Sequence, residues 1–182
     1  MTDNAPLIPV TLLTGFLGSG KTTLLNHLMQ QTSMADTLVI INEFGEIALD
    51  HHLVTHSKEN IVQEMSSGCL CCTIRGDLTK TLRDITWRFA RNGKRQFNRV
   101  LIETTGLADP APIIHTLMID RYLAQRYRLD GIVTTIDMAN GNQTLDQYSE
   151  AVKQAAVADC LLLTKNDLIS FDTQQALQYR LK

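Results

Sequence analysis

The chain has 182 residues, of which 44% are hydrophobic and 20% are charged, and its formal net charge is −2. This size and composition are typical of one globular domain with a sizeable core. The near-neutral charge argues against nucleic acid or an anionic membrane as a partner, and no apolar run is long enough to span a membrane. Because the N-terminus also lacks a signal-peptide pattern, we expect a cytoplasmic protein.

Short apolar runs alternate with segments of helical periodicity along the chain. In order, the runs cover 9–14, 37–41, 99–102, 131–136 and 160–163, and 61–65 is a candidate for a shorter strand. The runs show little period-two alternation, which is typical of parallel strands buried on both faces. The pattern predicts an α/β fold, a doubly wound and mainly parallel sheet with helices on both faces and ligands at the carboxyl ends of the strands.

Amphipathic helices are predicted between the runs. The first begins at Lys21, the second covers 73–92 and ends at Gly93, the third is opened by Asp109 and Pro110, the fourth covers 145–156, and the last is capped by Asp172. The last helix stops in mid-pattern. We therefore expect residues 1–182 to be a single domain cut from a longer protein.

A phosphate-binding loop is predicted at 15–22, where GFLGSGKT fits the pattern GxxxxGK[ST] at every fixed position. Glycines allow successive N–H groups to face a phosphate, and the following helix adds the positive end of its dipole. Lys21 would bind the β- and γ-phosphates and act in catalysis, and the Thr22 hydroxyl would bind Mg²⁺. The predicted nucleotide-binding residues of this loop are Gly15, Gly18, Ser19, Gly20, Lys21, Thr22 and Thr23.

Glu103 ends the apolar run 99–102 and precedes Thr-Thr-Gly. A carboxylate at the end of a neighbouring strand would hold Mg²⁺ through water, so we assign Glu103 to the magnesium site and to catalysis. Gly106 would allow its N–H to approach the γ-phosphate. The alternative is that Glu103 is only the first solvated residue after a strand.

The segment 163–167, LTKND, resembles the guanine-reading [NT]KxD motif and follows a late strand. The Asp167 carboxylate can accept from N1–H and from the exocyclic amine of guanine, whereas adenine offers no such pair of donors. Lys165 would cover the base and reach back to the phosphate loop. Thr164 replaces the commoner Asn and so removes an amide that can brace the site. These residues predict GTP and GDP as ligands, and the alternative is a polar strand-to-helix turn.

Three of the four cysteines, Cys69, Cys71 and Cys72, lie within four residues, just before the predicted 73–92 helix. This crowding argues against a disulfide framework and favours metal or redox chemistry. The helix dipole favours thiolate there, and two thiolates suit Zn²⁺ or Co²⁺. The remaining ligands would come from Cys72, Glu43, Glu46, a histidine among His51, His52 and His56, water or another protein. A labile disulfide is the alternative. The fourth cysteine, Cys160, is predicted to be buried.

The segments GFLGSGKTT (15–23), NEFGE (42–46), GCLCCTIRGDL (68–78) and ETTGLADP (103–110) together closely resemble the CobW-type metallochaperone GTPases. The resemblance covers about 9–168. It implies a GTP-hydrolysing switch that binds Zn²⁺ or another transition metal at Cys69, Cys71 and Cys72 and delivers it to a client metalloprotein. It places Glu43 in a switch-like segment, where we count it among the metal ligands. It also implies a smaller C-terminal domain after this one, which agrees with the expectation that the chain is part of a longer protein.

Two other classes of function remain open at this point. A nucleotide-dependent phosphotransferase would need an acceptor pocket and ought to favour ATP. A thiol-based metal or redox sensor would use the cysteines without significant turnover. A homodimer is a further assembly that we consider.

Overall fold

The computed structural model describes residues 6–42, 62–64, 70–74, 78–92 and 94–182. Within these ranges the strands are β1 Ile8–Gly15, β2 Thr37–Asn42, β3 Val62–Glu64, β4 Leu70–Ile74, β5 Ala90–Arg91, β6 Lys94–Arg95, β7 Arg99–Thr104, β8 Tyr127–Asp137 and β9 Cys160–Thr164. The α-helices are α1 Lys21–Met29, α2 Leu78–Arg88, α3 Ala111–Ile119, α4 Arg121–Ala124, α5 Gly141–Gln147, α6 Ser149–Ala156 and α7 Phe171–Arg180. Short 3₁₀ turns cover Thr32–Met34 and Asn166–Leu168.

The main sheet has the strand order β3-β4-β2-β7-β1-β8-β9 in the described part of the chain. Its strands are parallel except β3, which pairs with β4 in the antiparallel direction. β1 lies between β7 and β8, with Leu13 opposite Glu103 and Gly15 opposite Thr135. The carboxyl ends of these three strands therefore meet at one edge, as the sequence predicted for a doubly wound sheet.

Apolar side chains pack on both faces of the sheet. On one face, Leu25 and Met29 of α1 pack with Val39 of β2 in one core cluster. A second cluster joins apolar residues of β1, β2 and β7, such as Leu12 and Ile40, to side chains of α2, α3 and α4, which include Leu82 and Leu117. Burial on both sides explains why the strands read as continuous apolar runs rather than as alternating ones.

Two predicted helices differ from the structure. Within the described residues the predicted 73–92 helix covers Leu78–Arg88, because the apolar run 70–74 pairs with β2 as strand β4, and after Arg88 the chain forms the β5–β6 hairpin. The predicted 145–156 helix is two helices, since Tyr148 has φ −125° and ψ 114° and separates α5 from α6. The ring of Tyr148 lies 4.5 Å from that of Phe16, so tertiary packing of the phosphate loop accompanies the break.

Two further local predictions need correction. Ser170, not Asp172, caps α7, since its Oγ accepts a hydrogen bond from the Thr173 N–H. Cys160 is exposed rather than buried, because β9 ends the sheet as described and has only β8 as a neighbour. The predicted strand near 61–65 is present as β3, and Gly93 lies outside the described residues. None of the described helices combines the length and the apolar character needed to cross a membrane.

Candidate functional site

The phosphate-loop segment leaves β1 at the carboxyl edge of the sheet and enters α1 at Lys21. Its glycines adopt positive φ angles: 140° at Gly15, 71° at Gly18 and 92° at Gly20. The Ser19 N–H donates to the Phe16 carbonyl oxygen at 3.1 Å, which closes a turn within the loop. L-residues rarely adopt such φ values, so the glycines allow the curled backbone that the motif predicts.

Gly15→Ala is expected to destabilise the fold by about 3 kcal/mol or more, because backbone strain and a steric clash add up. A Cβ at Gly15 would lie 2.5 Å from the Thr135 carbonyl oxygen and 2.8 Å from Ser19 Oγ. The matched control is Gly18→Ala, where a Cβ would meet nothing within 4 Å and only the left-handed φ costs about 1–2 kcal/mol. Urea unfolding of both variants measures the difference, and equal losses would contradict the clash.

Lys21 lies in the first turn of α1 with 8% of its surface exposed. Its ammonium donates to the carbonyl oxygens of Gly15 at 2.7 Å and Phe16 at 3.2 Å. Burial lowers the pKa of Lys21, and the nearby Glu103 carboxylate acts in the opposite direction. The cation is thus held inside the curl of the loop, where a phosphate would meet it.

Thr22 and Glu103 come together from α1 and β7. The Thr22 hydroxyl donates to Glu103 Oε1 at 3.3 Å, and Glu103 is 5% exposed. β7 is tied to β1 beside this point by a 2.9 Å hydrogen bond from Thr104 Oγ1 to Thr14 Oγ1. A hydroxyl and a carboxylate are the hard oxygen donors that Mg²⁺ prefers, so the donor set fits the predicted magnesium site.

Gly106 lies against the phosphate loop. A Cβ at this position would be 2.7 Å from the Leu17 nitrogen and 2.8 Å from the Leu17 Cα. Any larger residue would therefore push the loop after β7 away from the phosphate loop. The close approach is compatible with the predicted contact of the Gly106 N–H with a γ-phosphate.

The predicted base-reading motif follows β9 next to the phosphate loop. Thr164 Oγ1 donates to the Ser19 carbonyl oxygen at 2.8 Å, so threonine braces the loop although it lacks the amide of asparagine. Lys165 adopts φ 57°, a strained angle for a residue with a side chain. Asp167 is exposed in the following 3₁₀ turn, on the same short segment as Lys165.

Asp137, at the end of β8, is a site residue that the sequence analysis missed. Lys165 Nζ pairs with Asp137 Oδ2 at 2.8 Å, where we had expected the ammonium to reach the phosphate loop. Burial favours a higher pKa for Asp137, but hydrogen bonds from Lys165, Asn140 and a backbone N–H outweigh it and hold the pKa below its usual value. The sequence marks Asp137 in the same way as Glu103, since each of these acidic residues ends an apolar run.

Thr164→Val is expected to lower the free energy of unfolding by about 1–3 kcal/mol, because the Ser19 carbonyl oxygen loses its donor in a partly buried position. Valine keeps the shape of threonine, so the change removes only the hydroxyl, which also lies 3.2 Å from the Ile136 carbonyl oxygen. Thr32→Val, at an exposed position, is the matched control. If the midpoint of thermal unfolding falls equally in the two variants, the hydrogen bond to the Ser19 carbonyl oxygen does not contribute to stability.

A cavity of about 270 Å³ lies beside the phosphate loop. Its walls include Leu17 and Ser19 of the loop, Thr134 of β8, Gln154 of α6 and Lys165. Ser19 Oγ and Thr135 Oγ1 are hydrogen-bonded at 2.6 Å and close this side of the loop. This hydrogen bond and the one from Thr164 Oγ1 to the Ser19 carbonyl oxygen therefore hold the loop at Ser19.

Part of the predicted transition-metal site lies outside the described residues. This applies to Cys69, Glu43, Glu46 and the histidines at 51, 52 and 56. The backbone of β4 places Cys71 opposite Val39 and Cys72 opposite Ile40 on β2. The described residues contain no group of three or more His, Cys, Asp or Glu side chains that could hold a metal ion. The two cysteines lie within β4 rather than at the N-terminus of α2, so the expected effect of the helix dipole on their thiols does not apply.

Comparison with known proteins extends these observations. Residues 9–182 match the family described as CobW/HypB/UreG, nucleotide-binding domain. The chain is 41% identical over 161 residues to the zinc chaperone YjiA of Escherichia coli, an alignment that covers 88% of this chain and 50% of YjiA. It is 39% identical over 169 residues to the zinc-regulated GTPase metalloprotein activator 1 of Schizosaccharomyces pombe, which covers 90% of this chain and 40% of that protein.

The structure also resembles a solved one. The crystal structure of Zn(II)-bound YjiA GTPase from E. coli matches with a TM-score of 0.77 and 37% sequence identity over 97% of this chain and 54% of that chain. The chain thus spans about half the length of the relatives it matches. These findings confirm the α/β P-loop fold and the resemblance inferred from the motifs. The chain belongs to the CobW/HypB/UreG family of nucleotide-binding domains.

Proposed function

We propose that this domain binds and hydrolyses GTP with Mg²⁺ and that its nucleotide state controls the binding of a transition metal, with Zn²⁺ favoured over Co²⁺, for transfer to a client metalloprotein. The observation that carries the proposal is the convergence of Lys21, Thr22 and Glu103 at the carboxyl ends of β1 and β7. Cationic, hydroxyl and carboxylate groups meet there at the N-terminus of a helix, an arrangement suited to a phosphate and its metal ion.

Different residues would bind the phosphates and the magnesium ion during hydrolysis. Lys21 and the N–H groups of the glycine-rich loop would hold the β- and γ-phosphates, and Thr22 and Glu103 would hold Mg²⁺. The magnesium ion would neutralise charge that develops on the phosphate oxygens. From the loop after β7, Gly106 would present its N–H to the γ-phosphate. The conformation of that loop would therefore depend on whether GTP or GDP is bound.

The base-reading side supports GTP over ATP. Asp167 follows Lys165 on a turn that Thr164 binds directly to the phosphate loop. A base held over this turn would meet the Asp167 carboxylate, which suits the two donors of guanine and rejects adenine.

The register of the sheet supports coupling to the metal motif. Cys72 pairs with Ile40 of β2, and Ile40 pairs in turn with Ile102, the residue before Glu103. Two strand spacings separate β4 from β7, which is about 10 Å. A metal held by the cysteines would therefore lie close enough to the γ-phosphate side for one switch segment to contact both. The zinc chaperone and zinc-regulated GTPase names of the relatives agree with this cargo.

Phosphate release from GTP and from ATP, measured with and without Mg²⁺, tests the enzymatic part. We expect slow, magnesium-dependent release with GTP and at least about tenfold less with ATP, because the carboxylate is left unpaired against adenine. A preference for ATP would favour the phosphotransferase. Binding of metal by the reduced thiols, lost when the cysteines are changed to serine and accompanied by no release of phosphate, would favour the sensor.

A further inference from the structure

Gln154 of α6 connects the phosphate side of the site to the body of the sheet. Its side chain is completely buried, and Nε2 donates to the carbonyl oxygens of Gly106 at 3.1 Å and Ala108 at 3.0 Å. Its backbone carbonyl oxygen accepts from Thr134 Oγ1 of β8 at 2.8 Å. Both amide hydrogens are used on the loop after β7, and the residue itself is fixed to a central strand.

The loop that Gln154 holds lies directly against the phosphate loop. Gly106 packs so closely on Leu17 that a Cβ would have no room, and the Ala108 N–H donates to the Thr105 carbonyl oxygen at 3.1 Å. Glycine rotates freely about its backbone bonds unless one of its peptide groups is held. The Gly106 carbonyl oxygen shares a peptide plane with the Leu107 N–H, so the Gln154 amide fixes that peptide, and its second bond fixes the peptide that follows Ala108. Together the two bonds hold the segment that begins at Gly106.

The side chain of Gln154 is committed to this loop. Its Oε1 is buried and has no hydrogen-bond partner among the described residues, so the amide makes its hydrogen bonds there through Nε2 alone. An apolar side chain of the same length would relieve that one unpaired acceptor but would leave the Gly106 and Ala108 carbonyl oxygens without this donor. Glutamine at this position thus gives the loop two directed bonds at the expense of one unsatisfied atom.

We propose that Gln154 is a positioning residue whose amide presets the loop after β7 for the γ-phosphate, so that it sets how strongly the site prefers GTP over GDP. This rests on the proposed function, because only a γ-phosphate distinguishes the two nucleotides at Gly106. GDP lacks the phosphate that would contact that loop, so the loss of the amide is expected to affect the two nucleotides unequally.

The test compares the 182-residue chain with Gln154→Met, which keeps length and volume without donors, and with Gln154→Glu, which replaces the donors by a charge. Gln175→Leu, at an exposed position of α7, is the control. Calorimetric titration with a non-hydrolysable GTP analogue and with GDP, each with Mg²⁺, gives both dissociation constants. Thermal unfolding shows that each variant is folded.

We expect both variants of Gln154 to bind the GTP analogue at least tenfold more weakly and GDP within threefold of the unchanged chain, with the control unaffected. A GTP-to-GDP affinity ratio that does not change in the folded variants, or an equal loss for both nucleotides, would overturn the proposal while leaving the proposed function intact. If the unchanged chain binds GTP and GDP equally, the proposed role of Gln154 is wrong. If the unchanged chain binds neither nucleotide, both this role and the proposed function are wrong.

Discussion

Lys21→Ala is expected to weaken the binding of both GTP and GDP by about 100-fold or more, and to abolish measurable phosphate release. The ammonium is buried inside the curl of the phosphate loop, held by the Gly15 and Phe16 carbonyl oxygens. A hydrogen bond to a charged group contributes about 1.5–3 kcal/mol, and two such bonds to phosphate oxygens correspond to a loss of about two to four orders of magnitude.

Calorimetric titration measures this loss, and Lys94→Ala, which removes an exposed lysine of the β5–β6 hairpin, is the control. The control should bind both nucleotides as the unchanged chain does. A Lys21 variant that unfolds at the same temperature as the unchanged chain and still binds GTP within tenfold of it would show that the loop does not hold the phosphates.

Asp167→Asn is expected to weaken GTP binding by about 10²–10⁴-fold and to create affinity for xanthosine triphosphate. The carboxylate accepts from N1–H and the exocyclic amine of guanine, and two charge-assisted hydrogen bonds contribute about 3–6 kcal/mol. Xanthine carries a carbonyl oxygen where guanine has the amine. The asparagine amide can donate to that oxygen, so the variant should reverse the preference.

Competition between the two triphosphates in a binding assay measures the reversal. Asp172→Asn, at an exposed position of α7, is the control and should keep the preference for GTP. Unchanged GTP affinity in the Asp167 variant would exclude the segment after β9 as the base-reading element.

The fold could be predicted from the sequence because each central strand is an apolar run bounded by turn residues. Burial on both faces produces that pattern directly, as in β1 and β7. β4 was missed because its five residues, Leu70–Ile74, adjoin a helical pattern and gain their strand conformation from pairing with β2 and β3. Tertiary pairing of this kind overrides local periodicity.

The candidate site could be predicted where its functional residues lie together in one segment of the sequence. The phosphate loop and Glu103 follow from spacing and from the positions at which strands end. The contacts that join segments were not predictable: Asp137 meets Lys165, and Thr164 meets Ser19, only because β9 lies beside β8 and β1 lies on the other side of β8. Strand order decides such contacts, and the sequence does not state it.

A Zn²⁺ titration of the chain with a GTP analogue, with GDP or without nucleotide measures the proposed coupling between nucleotide and metal. We expect the GTP analogue with Mg²⁺ to raise zinc affinity at least about fivefold over GDP, and linkage then requires zinc to raise affinity for the analogue by the same factor. Identical zinc affinities in all three states would show that nucleotide and metal bind independently.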